Sequence, residues 1–545
     1  MDLINTYGGF FDTYLQPIFD EKTQAMKPTL AWNFCNASHA FITALLPVLR
    51  HKLKNLLPQI SNHPQLLSHT IHESMTFDSE VRDSWNYLPD PYSDDNWKGV
   101  TWEVLTRQGW FDRWLEVERD FALARYKDII DTPDSGHIDY EGVEITATKP
   151  TKAAIRVNDL LETITDRYQP LTSFSQKLRF LIDIQITIFD QFHERLHSAL
   201  EAYLAMTSAI GRTVQGADGQ ASVEGVAGLE RLCRVFGSAE YLEKKMQDWS
   251  NDVFFVELWT ELQERVRQNK DGGKHVAGSM SVADVASRTS QAVTNENDHT
   301  AAATTTTTSQ FANSDGALFD ETATAYRNLR LRSESIITST VTSNVLSALK
   351  TYSRISTWAT LSAVPSSATA NTAAASSSQP PSADLAPALR TLSTNLSFLS
   401  HALGVAPLRR IIRQVLLPVQ NFLWTNIIMR HTFSAAGTSQ LTSDVDHLCS
   451  VVDSSLGAAG HAGDSIHAMT KLREALLLLG LNAASSQEGE EQGADEDDRL
   501  GLWDVEKRLF KDNESARVVL GELDVENLTE AEARTVLERR VEIGS

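Results

Sequence analysis

The stretch His193-Glu194-Arg195-Leu196-His197 satisfies the H-E-x-x-H pattern. On a helix that pattern sets two imidazoles one turn apart with a carboxylate between them, as zinc hydrolysis requires. Glu194 would be the base, His193 and His197 two ligands, and Glu224 the candidate third. Several features weigh against this chemistry. Arg195 would put a cation beside a dication, and Leu200 and Tyr203 stand where the extended zinc-peptidase pattern has a glycine and a third histidine. Glu224 is isolated among glycines and small residues. His193 and His197 also flank the apolar stripe Phe189, Phe192, Leu196 and Leu200, where ordinary boundary histidines belong. That is the better reading.

Nothing else in the chain has the spacing of a catalytic set. His63, His69 and His72-Glu73 match no ligand pattern and read as a solvated helix end. Gly216, Gly219, Gly225 and Gly228 lack the preceding strand and following lysine–serine pair of a phosphate loop. No serine or cysteine sits in an elbow or dyad sequence, and Cys35, Cys233 and Cys449 are too scattered for a disulfide framework or a zinc site. Catalysis, cofactor and metal are therefore not expected.

The bulk properties fit a large protein that works through partners. At 545 residues the chain exceeds one ordinary core, and about three domains are expected. A net charge of −22 repels phosphate backbones, so nucleic acid is not an expected ligand. No stretch approaches the roughly 18 uninterrupted apolar residues of a membrane span; even Ala475 to Leu481 is short. Any membrane work has to go through other proteins.

The elements read as consecutive helices. Asn33 to Leu57 forms one, bent at Pro47 and ending near Pro58, and Pro64 to Trp85 forms the next. Ahead of them Phe10, Phe11, Tyr14 and Phe19 need a surface to bury against, from which an upstream region is expected. From Gly109 to Ile130, Trp110, Trp114, Val117 and Phe121 recur as one apolar stripe that must face a core. Glu116, Glu118 and Asp120 fall on the other face, read as solvated. Ile138 to Ile145 alternates like a small hairpin. Ser173 and Gln176 have capping-box spacing at the start of a long helix reaching about Ser208. One further helix holds Leu229, Leu232 and Phe236, and another spans Ala239 to Arg267. After Leu318, leucine-rich helices follow one another to Leu481, with Gly437 ending one in a left-handed turn, Thr442 or Ser443 capping the next, and Asp444 at its N-terminus.

Four blocks in this pattern carry a resemblance. Trp114 to Ala122, together with the Phe77 to Arg82 region before it, Phe433-Ser434-Ala435-Ala436-Gly437-Thr438-Ser439-Gln440-Leu441 followed by Asp444, and Lys471 to Asn482 resemble, in order, the signatures of the RINT/Tip family. Members of that family are subunits of the Dsl (NRZ) complex, which tethers Golgi-derived vesicles at the endoplasmic reticulum. The motif residues are Trp110, Trp114, Glu116, Val117, Glu118, Phe121, Phe433, Gly437, Gln440, Leu441 and Asp444.

The resemblance implies an all-α fold, an elongated rod of consecutive helix bundles of the CATCHR type with disordered insertions, and the helix pattern agrees. Residues 1–270 are expected to form helical bundles carrying the central signature, 271–316 a disordered linker, 317–484 a C-terminal bundle interrupted by low-complexity 362–383, 485–499 an acidic insertion, and 500–545 a tail of one or two short helices. The implied function is non-enzymatic vesicle tethering in Golgi-to-endoplasmic-reticulum retrograde transport. The implied partners are the other Dsl/NRZ complex subunits and endoplasmic-reticulum SNAREs, at a cytoplasmic location peripheral to that membrane. The family's upstream coiled-coil and SNARE-binding region is expected to be missing. The rival readings are a helical adaptor of an exocyst-like or checkpoint-linked assembly and a zinc hydrolase built on His193, Glu194 and His197.

Overall fold

The structure, a computed structural model, describes residues 2–25, 36–88, 97–144, 146–208, 224–269, 317–361, 380–456, 467–483 and 500–543. The expected insertions at 271–316 and 485–499 lie outside these residues, as does the low-complexity run up to 379. The described chain is all-helical, and its only β pairings are the isolated bridges Ile138↔Thr151 and Phe433↔Arg540. It forms two compact units, each described by itself.

The first unit comprises Met1–His137, Lys152–Arg195 and Leu242–Arg327. It opens with α1 (Asp2–Phe10), a π-helical turn (Phe11–Leu15) and α2 (Gln16–Ala25). Helix α3 (Ala37–Ile60) is capped by the Asn36 side chain, which accepts from Ser38 N at 2.8 Å and His39 N at 3.1 Å, and it continues through Pro47 and Pro58. After α4 (Pro64–Asp83), Asp78 is buried and accepts from Val100 N at 2.8 Å and Thr101 N at 2.7 Å. The carboxylate thereby holds the start of α5 (Val100–Trp102), and Gly99, at φ +92°, supplies the backbone turn against it.

Helix α6 (Phe111–Asp131) buries Trp114 and Val117, as its spacing predicts, but its buried face is turned away from the rest of that stripe. Phe111, Trp114, Leu115, Val117, Glu118, Ala122, Tyr126 and Ile129 are buried, whereas Phe121 is 38% exposed and Trp110 is half-buried at the helix start. At about 100° per residue, the buried face centres roughly 80° around the helix from the Trp110–Trp114–Val117–Phe121 stripe. The reason is Glu118, which was expected in solvent. Buried, it accepts from the Trp114 indole Nε1 at 2.9 Å and from Ser68 Oγ at 2.5 Å. Two donors that need a partner inside the protein turn an acidic position inward.

Trp114 packs against Phe180, ring centroids 4.8 Å apart, and Phe180 stacks on Tyr168 at the end of α7 (Lys152–Tyr168). The long helix that follows is α8 (Phe174–Phe180), a π-helical segment Leu181–Ile186, and α9 (Thr187–Thr207). In the π segment buried Gln185 accepts from the Tyr168 hydroxyl at 2.5 Å and donates to Leu161 O and Thr165 Oγ1. The predicted capping box is not formed: Ser173 Oγ meets Ser175 Oγ, and Gln176 Nε2 donates to Thr106 Oγ1.

The second unit comprises Ile138–Thr151, Leu196–Tyr241 and Asn328–Ser545. The two helices predicted around residues 229–267 break elsewhere: α10 runs Gly225–Ser250, in this unit up to Tyr241, and α11 runs Val253–Asn269 and belongs to the first unit. Gly237 lies inside α10, where a Cβ would come within 2.1 Å of Lys149 O. Nor is there a hairpin at Ile138–Ile145. Instead the described residues there are bends and turns closed by the single bridge Ile138↔Thr151, and just beyond them Lys149 N donates to Ala402 O, Thr148 Oγ1 donates to Glu240 Oε2 at 2.7 Å, and Gly404 N donates to Thr148 Oγ1. Gly237 and Gly404 leave the backbone slot that admits this segment.

The remaining helices are α12 (Asp320–Tyr352), whose first turns belong to the first unit, α13 (Ala386–Ala402), α14 (Val405–Leu423), α15 (Ala435–Leu456) and α16 (Thr470–Leu479). The tail forms three helices, one more than the upper expectation: α17 (Leu502–Leu509), α18 (Asn513–Glu522) and α19 (Glu530–Leu537), the last with a full capping box between Thr529 and Glu532. Glu474, buried on α16, accepts from Asn527 N at 2.8 Å and Asn527 Nδ2 at 2.7 Å and fixes the tail's turn.

Candidate functional site

The H-E-x-x-H residues lie on α9, and each is engaged by a neighbour. The His193 ring meets the Tyr326 ring edge-on at 5.3 Å. His197 Nε2 accepts from Arg332 Nη1 at 3.3 Å, and Arg332 also pairs with Glu201 at 2.5 Å. A ring nitrogen whose lone pair takes a guanidinium hydrogen is not offering it to a metal, and a cation at that distance opposes a second one. Glu224 is exposed just before α10. Among the described residues no three histidine, cysteine or acidic side chains converge as a metal site.

The second family block builds a buried joint in the second unit. Phe433 packs on Trp358, with ring centroids 5.9 Å apart, and Trp358 meets Tyr352 edge-on. Ser434 N and Oγ both donate to Trp358 O, at 3.1 and 3.2 Å. Gly437 does not end a helix as predicted; it lies in the first turn of α15, where a Cβ would stand 2.0 Å from Trp358 O. Leu441 is buried behind it.

Asp444 is the polar centre of this joint and is 1% exposed. It is not near the start of its helix, as the sequence implied, but in the third turn. It accepts from Tyr352 Oη at 2.8 Å, Ser382 N at 2.7 Å, Ser382 Oγ at 2.6 Å and Gln440 Nε2 at 3.1 Å. Gln440 also donates to Pro380 O. Burial first, and then the adjacent carboxylate, push the Tyr352 hydroxyl well above its ordinary pKa. A carboxylate saturated by four donors positions its neighbours and presents no free lone pair to a substrate.

Sequence reasoning missed Tyr352, Trp358 and Ser382 as partners of the motif, and it placed Ser382 inside a low-complexity interruption. The available signal was a serine two residues before Asp384, ahead of an apolar helical run, which is an N-terminal helix signature. It also missed how the tail meets this joint: Phe433 N donates to Arg539 O at 2.7 Å and Val541 N donates to Phe433 O, while Arg540, almost fully buried, donates to Leu479 O.

In the first unit α1, the π turn and α2 expose Leu3, Tyr7, Phe10, Tyr14 and Ile18, a succession of large apolar side chains at helical spacing. On the other side Phe11 stacks on Phe41 of α3 at 4.3 Å.

The RINT-1/TIP-1 family model matches residues 1–540. The protein transport protein tip20 of Schizosaccharomyces pombe is 22% identical over 215 residues, 39% of this chain and 29% of that protein. A RINT1-like protein of Drosophila melanogaster is 30% identical over 161 residues, 29% of this chain and 20% of its own length. The RINT1-like protein MAG2 of Arabidopsis thaliana is 24% identical over 157 residues, 28% of this chain and 18% of that protein. Each match thus spans less than a third of the relative. Among solved structures, that of the SNARE Sec20 bound to the Dsl1 complex subunit Tip20 shares the fold, with a TM-score of 0.61 at 15% identity over 99% of this chain and 76% of that one.

Proposed function

The chain belongs to the RINT-1/TIP-1 family, and on that premise we propose that it is a vesicle-tethering subunit acting in Golgi-to-endoplasmic-reticulum retrograde transport. It catalyses no reaction. It works by binding endoplasmic-reticulum SNAREs and the other subunits of a Dsl/NRZ-type complex, at the cytoplasmic side of that membrane. The observation that carries this reading is the family match over residues 1–540, supported by a fold shared with a Tip20 that was captured with the SNARE Sec20.

Two features of the molecule support it. No helix among the described residues is long and apolar enough to cross a membrane, so contact with vesicle or reticulum runs through partners in this account. The motif residues hold joints together, as a scaffold needs: Asp444 and Gly437 tie α15 to the segments after α12 and before α13, and Trp114 with Glu118 ties α6 to α4 and α8.

Depletion of the protein in its own cells tests the function. A cargo carrying a reticulum-retrieval signal is expected to accumulate in the Golgi and to return when the chain is re-expressed. Normal retrieval after complete depletion would refute the proposal.

A further inference from the structure

Between Glu21 and Glu73 the chain runs for 51 residues without an acid, although it holds 71 acids in 545 residues. Helix α3 lies entirely inside that stretch and carries Arg50, Lys52 and Lys54. Along its second half Val48, Lys52, Asn55 and Gln59 follow one another at helical spacing, with His51 and Lys54 beside them. All six are exposed, Val48 at 68%.

The two lysines of this face are not neutralised within the fold. Arg50 pairs with Glu103 at 2.8 Å and is already engaged. Lys52 and Lys54 make neither an ion pair nor a hydrogen bond among the described residues. The elements packed against α3 bring no unengaged acid to its second half. Asp12 accepts from Ser38 Oγ at 2.6 Å, at the opposite end of the helix. Where Arg113 of α6 reaches Ser61 O, just past α3, the same arginine holds Glu116 at 2.6 Å. Helix α4 returns from that turn and reaches its first acid, Glu73, only about 14 Å along its axis, where it lies 3.9 Å from His69. On a chain of net charge −22, a face with free cations and no acid of its own selects its partner by sign.

We infer that this face of α3 is a docking site for one short acidic segment of a partner protein, whose carboxylates meet Lys52 and Lys54 and whose neighbouring apolar side chain rests on Val48. From Val48 to Gln59 the face is about 17 Å long, the span of about five residues of extended chain. The inference stands on the exposure and charge of α3 and does not need the tethering reading.

The full chain is titrated by fluorescence anisotropy with two labelled peptides of about ten residues, twice the span of the face. They share a central leucine and differ only in carrying aspartate and glutamate or the corresponding amides. The acidic peptide is expected to bind at least about tenfold more tightly at low salt, an advantage that shrinks as salt rises. Lys52→Glu with Lys54→Glu, both at exposed positions, is expected to abolish that advantage, and Lys52→Arg with Lys54→Arg to keep it. Lys507→Glu with Lys511→Glu, the same charge change on exposed positions of the tail, is expected to leave it intact. Equal binding of the two peptides would overturn the inference, as would an advantage lost equally in the tail variant, since net charge alone would then account for it. An advantage absent from the wild type and present only once the acids between Glu488 and Asp498 are changed to amides would make the chain's own segment the occupant and overturn it too. So would a wild-type dimer that Lys52→Glu, Lys54→Glu dissociates in sedimentation, or capture by phosphatidylserine vesicles, lost in that variant, without any preference for the acidic peptide.

Discussion

The carbonyl oxygen of Trp358 lies 2.0 Å from where a Cβ on residue 437 would stand, so Gly437 is held in its family block by space rather than by a left-handed backbone. The start of α15 can approach the segment after α12 this closely only without a side chain. Gly437→Ala forces two backbones apart and is expected to cost about 1–3 kcal/mol or somewhat more. Urea unfolding checks this: the midpoint falls and the slope is unchanged. A midpoint equal to wild type would show that the joint yields freely.

Trp114 and Glu118 separate packing from hydrogen bonding at a second site. Trp114→Ala removes a fully buried indole and is expected to destabilise by about 3–5 kcal/mol. Trp114→Phe keeps most of the apolar contact but takes one donor from buried Glu118, an effect of about 1–3 kcal/mol. Chemical denaturation of the pair checks the ordering, and an exposed Trp114 would leave both variants near wild type.

Asp190 gives the stability a pH dependence. Burial pushes its carboxyl from 3.8 up to about 6, so the folded state holds the proton more tightly than the unfolded state. The cost of its charge is absent below about pH 4, grows between about pH 4 and 6, and is constant above. Asp190→Asn is therefore expected to raise the thermal midpoint at pH 8 and to leave it unchanged near pH 4. A gain of the same size at both pH values would contradict the assignment.

The H-E-x-x-H sequence offers a sharp negative expectation. With Arg332 donating to His197 Nε2, dialysis against zinc is expected to leave no stoichiometric metal on the chain, and His193→Ala is expected to change nothing in that measurement. One zinc per chain, lost in His193→Ala, would make α9 a metal helix.

The helical class and most helix positions were legible because apolar residues recur at helical spacing, from α3 through α16. The details that failed share a physical cause: a polar residue with a distant partner. Glu118 reads as solvated until Ser68, fifty positions away, is known to donate to it. The break expected between Phe236 and Ala239 is absent because Gly237, inside α10, is a slot for Lys149 O. Asp444 reads as an N-terminal charge because Ser382 and Tyr352, its donors, lie 62 and 92 positions away. The tail reads as unconstrained because Phe433, just before α15, and Glu474, on α16, which fasten it, are far from it in sequence. Periodicity reports which face is apolar; it does not report which buried polar groups will satisfy one another.

The tethering account is tested most directly by native affinity purification of the tagged chain from its own cells, with mass spectrometry of what accompanies it. The account predicts recovery of Dsl/NRZ-complex subunits together with endoplasmic-reticulum SNAREs. Recovery of the folded chain without either group, or with an exocyst or checkpoint assembly in their place, would contradict it.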